Sequence, residues 1–351
     1  MSTSLKILVI RRDNIGDLVC TTPMFLALRA HFPKAYIAAL VNSYNLPVLQ
    51  NNPDIDDVFA YTKAKHRAKG QSTLRVYWDR IRLIFKLRKQ HFDYVILAAP
   101  DFQPRSLKLA RMVRPKHIIG FVSHSQTEQH IEIDTPIPYI FQEDIHEAED
   151  VFNLLTPLGI LPPPPQLRIT PPPVETDQAQ SLLKNQQWLS ETKMLIGIHI
   201  SARKPSQRWP SAYFVELISE LHTRHQSGFI LLWSPGDETN PMHPGDDTKA
   251  QEIRAQLNSL PILAYPTSKL EELIAALSLC DSVICSDGGA MHLAAGLGKP
   301  ILCFFGKSNQ KRWHPWGVPY IALQPESFNV EDISPDIALK QFDALLQKSN
   351  L

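Results

Sequence analysis

Hydrophobic positions fall into two alternating kinds of run along the chain. Residues 6–10 form a short β-branched stretch, residues 11–16 are mostly polar, and residues 17–32 carry helically spaced apolar positions until Pro33 ends them. Strand-like runs recur at 36–41, 94–98 and 118–121, with a long basic helical pattern at 73–90 between the first two. Such alternation predicts a parallel sheet with helices on both faces. Residues 162–165 and 171–173 are all proline, so 161–173 reads as a stiff, extended connector. Beyond it the pattern restarts, with strands at 194–200, 228–233, 282–285 and 300–305 and helices at 211–225, 270–279, 290–297 and 333–348. The chain is therefore expected to be α/β, with two Rossmann-like, doubly wound domains at 1–165 and 175–330 facing an interdomain cleft. A helical segment at 331–351 follows them, and 236–247 reads as disordered. In such sheets ligands sit outside the carboxyl ends of the strands, which directs attention to the strand–helix turns.

Composition narrows the partners. At 351 residues the chain is long enough for two domains, and 44% hydrophobic with 20% charged residues is ordinary for a globular protein. A formal net charge of +1 excludes a general polyanion binder, so electrostatic recognition must come from local patches. No segment has the length of a membrane span, and residues 5–10 are too short for an export signal. Cys20, Cys280, Cys285 and Cys303 form no C-x-x-C pair and read as reduced core thiols, which points to the cytoplasm.

Four strand-end constellations carry candidate chemistry. The first, Arg11 to Asp17, lacks G-x-G-x-x-G, which argues against a nicotinamide site. Gly16 is expected to give a sharp turn. Asp17 beside it has two readings: a helix cap, or a general base taking the proton of an attacking hydroxyl. The second, Ser286 to His292, opens a helix with Gly288, Gly289 and Ala290, whose amides suit a pyrophosphate. Asp287 would hold sugar hydroxyls or orient a neighbouring cation. His292, one turn in, is either core filler or a ligand-facing residue. The third, Gly306 to Arg312, brings Lys307, Lys311 and Arg312 to a strand end. The fourth, Ser201 to Pro210, adds Arg203, Lys204 and Arg208, cations suited to a departing diphosphate.

Residues 63–89 hold ten Lys/Arg and one acid, Asp79, interleaved with apolar Tyr77, Ile81, Ile84, Phe85 and Leu87. This region is either a solvated helix face or a surface for an anionic lipid acceptor or membrane. It accompanies no nucleic-acid-binding motif, so no nucleic acid partner is expected. No metal is expected either, in the absence of H-E-x-x-H, a Cys/His quartet or a D-x-D box; His146 and Glu149 alone are too few.

Taken in order, these stretches resemble glycosyltransferase family 9, the ADP-heptose:lipopolysaccharide heptosyltransferases. The resemblance rests on K-I-L-V-I-R-R-D-N-I-G-D with Thr21, Thr22 and Pro23, on His146-x-x-Glu149 leading to Leu158-Gly159-Ile160, on Arg208-Trp209-Pro210, and on S-D-G-G-A-M-H-L-A-A ending in Phe305-Gly306. It spans nearly the whole chain. It implies a GT-B architecture, no metal or other cofactor, inversion at the anomeric carbon, an ADP-heptose donor and a lipid-linked core oligosaccharide acceptor at the cytoplasmic face of the inner membrane. By resemblance Asp17 is the catalytic base. The donor site comprises Ser201, Arg203, Lys204, Arg208, Asp287, Gly288, Gly289, Ala290, His292 and Lys307. Asn14, Gly16 and Arg105 lie at the acceptor, and the final helix crosses back to the first domain. Three positions depart from the family pattern: Gln207 where Lys usually precedes Arg-Trp-Pro, with Lys204 as the candidate substitute, Gly288 for Thr, and Lys307 for Pro. A transferase using another nucleotide sugar, a nucleotide-sugar epimerase and a non-catalytic binding module are the competing functions.

Overall fold

The structure, a computed structural model, describes residues 4–62, 73–123, 133–240 and 244–349, the side chains of 73–77 excepted. Two compact units divide the chain, Met1–Thr170 and Pro171–Leu351.

The first unit runs β1 (Lys6–Ile10), α1 (Ile15–Val19), α2 (Thr22–His31), β2 (Tyr36–Asn42), α3 (Leu46–Leu49), β3 (Asp57–Tyr61), α4 (Thr73–Arg88), β4 (Tyr94–Leu97), α5 (Pro104–Val113), β5 (His117–Ser123), β6 (Thr135–Tyr139) and α6 (Glu147–Phe152). Its six strands are all parallel in the order β3-β2-β1-β4-β5-β6. This is the doubly wound order whose direction of winding reverses between β1 and β4, where ligand crevices form. The single helix expected over 17–32 is broken. Pro23 has no N–H to offer the Val19 carbonyl, which instead accepts from the Thr22 hydroxyl at 2.7 Å, and a new helix starts there.

The second unit runs α7 (Pro173–Lys184), β7 (Met194–His199), α8 (Ser211–His225), β8 (Ser227–Trp233), α9 (Asp247–Gln256), β9 (Ile262–Pro266), α10 (Leu270–Ser278), β10 (Ser282–Ser286), α11 (Gly289–Gly296), β11 (Ile301–Phe304), α12 (Gln310–Trp313), β12 (Tyr320–Leu323) and α13 (Pro335–Ser349). The order β12-β11-β10-β7-β8-β9, again all parallel, repeats the winding of the first sheet, with the reversal between β7 and β10. Ile196, Ile198, Leu231, Ile284 and Leu302 form one inward face, buried under α8 and α13.

The closing helix α13 belongs to the second unit. It packs along α8 and across β11 and β12, and its Leu339, Phe342, Leu345 and Leu346 stripe completes that unit's core. Asp343 adds an ion pair to Arg224 and a hydrogen bond with His225, both on α8. The tract 236–247 is ordered where it is described: Gly245 N–H bonds to Asp237 O at 2.9 Å, Asp246 N–H to Ser234 O at 2.9 Å, and Gly236 N–H to the Asp247 carboxylate at 2.8 Å. The end of the proline-rich connector packs on the first unit, with Arg168 N–H on Thr22 Oγ1 at 3.0 Å and its guanidinium on buried Asp54 at 3.1 Å.

Candidate active site

In the first unit, β1 leads at the winding reversal into a loop built around one buried cation. Arg11 is 2% exposed. Its Nη2 lies 3.0 Å from Asp17 Oδ1 and 2.7 Å from Glu147 Oε1, its Nε 3.1 Å from Asp13, and its Nη1 donates to Ala98 O at 2.8 Å. Burial alone would weaken the guanidinium's hold on its proton. Glu147, Asp17 and Asp13 reverse this and hold its pKa above the ordinary arginine value. One cation thus ties the ends of β1 and β4 to the start of α6. Buried Asn42 and Asn45 fix the loop from below by donating to the Asp13 carbonyl at 3.1 and 2.8 Å.

Asp17 is the third residue of α1, with Asn14 at the N-cap. Its Oδ2 accepts from Asn14 N–H at 2.9 Å, so it does support the helix start, though from inside the first turn. Each carboxylate oxygen has one such partner and keeps a lone pair, and 16% of the side chain is accessible. Gly16 lies inside α1 and is not among the positive-φ residues, so it supplies no reversal. Arg105 is exposed at the second position of α5, beyond the carboxyl end of β4.

In the second unit, three loops meet at the carboxyl edge. Gln207 is buried; its Nε2 donates to Asp287 Oδ2 at 2.6 Å and to Ser308 Oγ at 2.9 Å. Lys204 Nζ reaches the same Ser308 hydroxyl at 3.3 Å. Ser286 Oγ donates to Gln207 O at 2.7 Å, and Gln324 Nε2 to Gly306 O and Ser308 O at 2.7 and 2.8 Å. The loops are so close that a Cβ on Gly306 would stand 2.4 Å from Ser206 O. Gly288, with φ +154° and ψ −166°, uses a backbone region essentially restricted to glycine and opens α11, whose first amides have no acceptor within the helix. Gly289 follows as its first residue and Ala290 is buried behind it.

The expected donor residues divide. Arg203, Lys204 and Lys307 are exposed cations on these loops. Arg208 is engaged within the protein: it forms an ion pair with fully buried Asp246 and donates to Ala202 O at 3.0 Å. The Ser201 hydroxyl accepts from Ser234 N–H at 2.9 Å. His292 is buried, edge-on to Trp313 at 5.8 Å between ring centroids. His146 and Glu149 cap α6 together, the imidazole accepting from Ala148 N–H at 3.0 Å and the carboxylate from His146 N–H at 3.2 Å. Among the described residues no group of three or more His, Cys, Asp or Glu is arranged to hold a metal, and no helix is long and apolar enough to cross a membrane.

Two residues at this edge escaped the sequence. His199 ends β7 with its Nδ1 enclosed and, among the described residues, unpartnered; burial, aided by the charge of Lys249, pushes its pKa down to about 4. Lys249 donates to Ile200 O at 3.2 Å and to Trp209 O, and burial lowers its pKa to about 8 against the opposing pull of Asp246.

The profile of glycosyltransferase family 9 (heptosyltransferase) matches residues 80–341. The chain belongs to glycosyltransferase family 9. Among relatives of this family 9 chain, a putative glycosyltransferase of Haemophilus influenzae is 25% identical, covering 97% of each chain. Lipopolysaccharide heptosyltransferase 2 of Salmonella typhimurium is 24% identical, covering 87% of this chain and 84% of the relative. The fold matches a crystal structure of a family 9 glycosyltransferase from Veillonella parvula with a TM-score of 0.78 at 22% identity, covering 99% of both chains. An Escherichia coli heptosyltransferase with ADP matches with a TM-score of 0.75 at 16% identity, covering 97% of this chain and 99% of that one. The α/β, GT-B fold class expected from the sequence is thus the fold of this family, and the chain is a glycosyltransferase.

Proposed function

We propose that this family 9 enzyme transfers a heptosyl group from ADP-heptose to the inner-core saccharide of a lipopolysaccharide acceptor, inverting the anomeric carbon, with Asp17 as general base. The observation that carries the reading is the state of Asp17. It is a carboxylate at the winding reversal of a Rossmann-like sheet, held on both oxygens yet retaining lone pairs and access to solvent. A fixed, accessible carboxylate is what removal of a proton from an attacking hydroxyl requires. The relative named as a lipopolysaccharide heptosyltransferase and the matching heptosyltransferase with ADP support the choice of acceptor and donor.

In the proposed step the acceptor oxygen bonds to the anomeric carbon as its proton passes to Asp17. The bond from that carbon to the diphosphate oxygen breaks, and ADP leaves from the opposite face. The amides of Gly288, Gly289 and Ala290 receive the diphosphate, with Arg203, Lys204 and Lys307 stabilising its charge. Asp287, oriented by Gln207, holds sugar hydroxyls, while Asn14, Gly16 and Arg105 border the acceptor. The reading requires donor and acceptor to meet at Asp17. Because such an acceptor is anchored in a bilayer, the enzyme is taken to work as a peripheral protein at the cytoplasmic face of the inner membrane.

A binding screen of ADP-, UDP-, GDP- and CMP-sugars tests the donor, with ADP-heptose expected to be selected. Transfer to a core oligosaccharide, with the product anomer read by NMR, tests the reaction. Conversion of donor without acceptor would instead make the protein an epimerase, and tight donor binding without turnover would make it a binding module.

A further inference from the structure

Helix α4 has two faces of opposite character. Ile84 and Leu87 are buried in the first unit's core. On the other side Trp78, Ile81 and Phe85 are 63%, 44% and 58% exposed. Their spacing of three and four residues puts them in one row of about 10 Å. Beside that row stand Arg82, Lys86 and Lys89, all exposed, with Asp79 the one acid between residues 78 and 89. Lys86 Nζ lies 4.9 Å above the Phe59 ring. Arg88 is otherwise engaged, its Nε donating to Met112 O at 2.6 Å.

An apolar row flanked by a predominantly cationic row has two requirements, and a bilayer with anionic headgroups meets both. The rings enter the headgroup–acyl boundary while the cations meet the phosphate layer. A duplex nucleic acid would satisfy the cations but, with its bases stacked inside, would leave the apolar row of Trp78, Ile81 and Phe85 in water. We propose that this face of α4 docks the enzyme on an anionic lipid surface. The surface rests on the reading that the acceptor is lipid-borne, and it names the contact by which the enzyme would reach it. The apolar row begins in the half of α4 nearest the carboxyl edge of the sheet, the edge that carries Asp17.

The test is co-sedimentation of the full chain with vesicles of mixed phosphatidylglycerol and phosphatidylcholine, against phosphatidylcholine alone, at low and high salt. Binding should favour the anionic vesicles and weaken with salt. The triple variant Arg82→Gln, Lys86→Gln, Lys89→Gln should bind them about a hundredfold less tightly, at about fivefold per cation. Trp78→Ser with Phe85→Ser should abolish binding. Trp78→Phe should keep it but lose most of the quenching of tryptophan emission by bromine-labelled acyl chains. Binding unchanged in both the triple and the serine variants overturns the proposal, as does a self-associated species that those variants dissociate. Vesicle binding needs neither donor nor acceptor, and transfer to a soluble core oligosaccharide needs no vesicle. Product formation without vesicle binding therefore defeats the surface alone, and vesicle binding without product defeats only the transfer reading.

Discussion

Arg11 Nη2 stands 2.7 Å from Glu147 Oε1, across 136 residues of chain, with both side chains almost wholly enclosed. The same nitrogen holds Asp17 at 3.0 Å, so a buried ion pair and the proposed base share one donor. The geometry of the site is thereby made part of the fold of the first unit: α1 cannot shift without disturbing α6 and the end of β4.

Replacing Arg11 with Met should be costly, because it takes the cation away from a buried carboxylate. A loss of about 3–5 kcal/mol is expected, read from denaturant unfolding. The double variant Arg11→Met, Glu147→Leu removes the orphaned charge as well and should recover much of that loss. If the losses of Arg11→Met and Glu147→Leu, measured singly, simply add in the double variant, the two residues are not energetically coupled.

Asp17→Asn keeps an oxygen to accept from Arg11 or from Asn14 N–H, so the loop should hold. Turnover should nonetheless fall by about 10²–10⁴-fold, the usual contribution of a general base. ADP-donor affinity, measured by calorimetry, should stay within a factor of a few. Wild-type turnover in this variant would remove Asp17 from the chemistry.

Gly288 has open space where a Cβ would go, yet its φ of +154° is one that side chains rarely adopt. Gly288→Ala is therefore expected to cost about 1–3 kcal/mol of stability through backbone strain alone. It should also weaken donor binding by tilting the first amides of α11. A variant with unaltered melting and unaltered donor affinity would show that the loop relaxes without loss.

His199 gives the second unit an acid-sensitive element. Its folded pKa of about 4 lies below the ordinary value of 6.5, so between these values the unfolded chain binds the extra proton and the folded one does not. Its contribution is fully present above pH 6.5 and is lost progressively as pH falls toward 4, a loss on the order of 3 kcal/mol. His199→Gln should flatten that part of the stability–pH curve. An identical curve in the variant would assign the acid sensitivity to other groups.

The sequence revealed the strands that carry the site, because β1, β7, β10 and β11 are short, uninterrupted apolar runs bounded by polar turns. It concealed the outer strands for identifiable reasons. In β6, Pro136 and Pro138 break the strand signal, and they are tolerated because β6 is an edge strand whose proline nitrogens, two residues apart, can both face away from β5. β12 has only half-buried positions, so its pattern is weak. The Arg11–Glu147 contact left no local trace, since the partners are joined only by tertiary folding. Arg208 reads as a free cation beside a glycine-rich site, and only the burial of Asp246 after β8 reveals that its charge is already matched. The cations at 63–69 lie outside the described residues.

The four thiols have a practical consequence. Cys20, Cys280, Cys285 and Cys303 are all buried, and burial raises the pKa of Cys280 to about 12 and moves Cys285 and Cys303 up as well. A thiol must ionise and meet its reagent to be alkylated, so the native chain should resist labelling until it opens. One cysteine reports on the first unit and three on the second. Timed alkylation followed by mass spectrometry would thus serve as a clock that records, without any engineered probe, which half of the enzyme comes apart first.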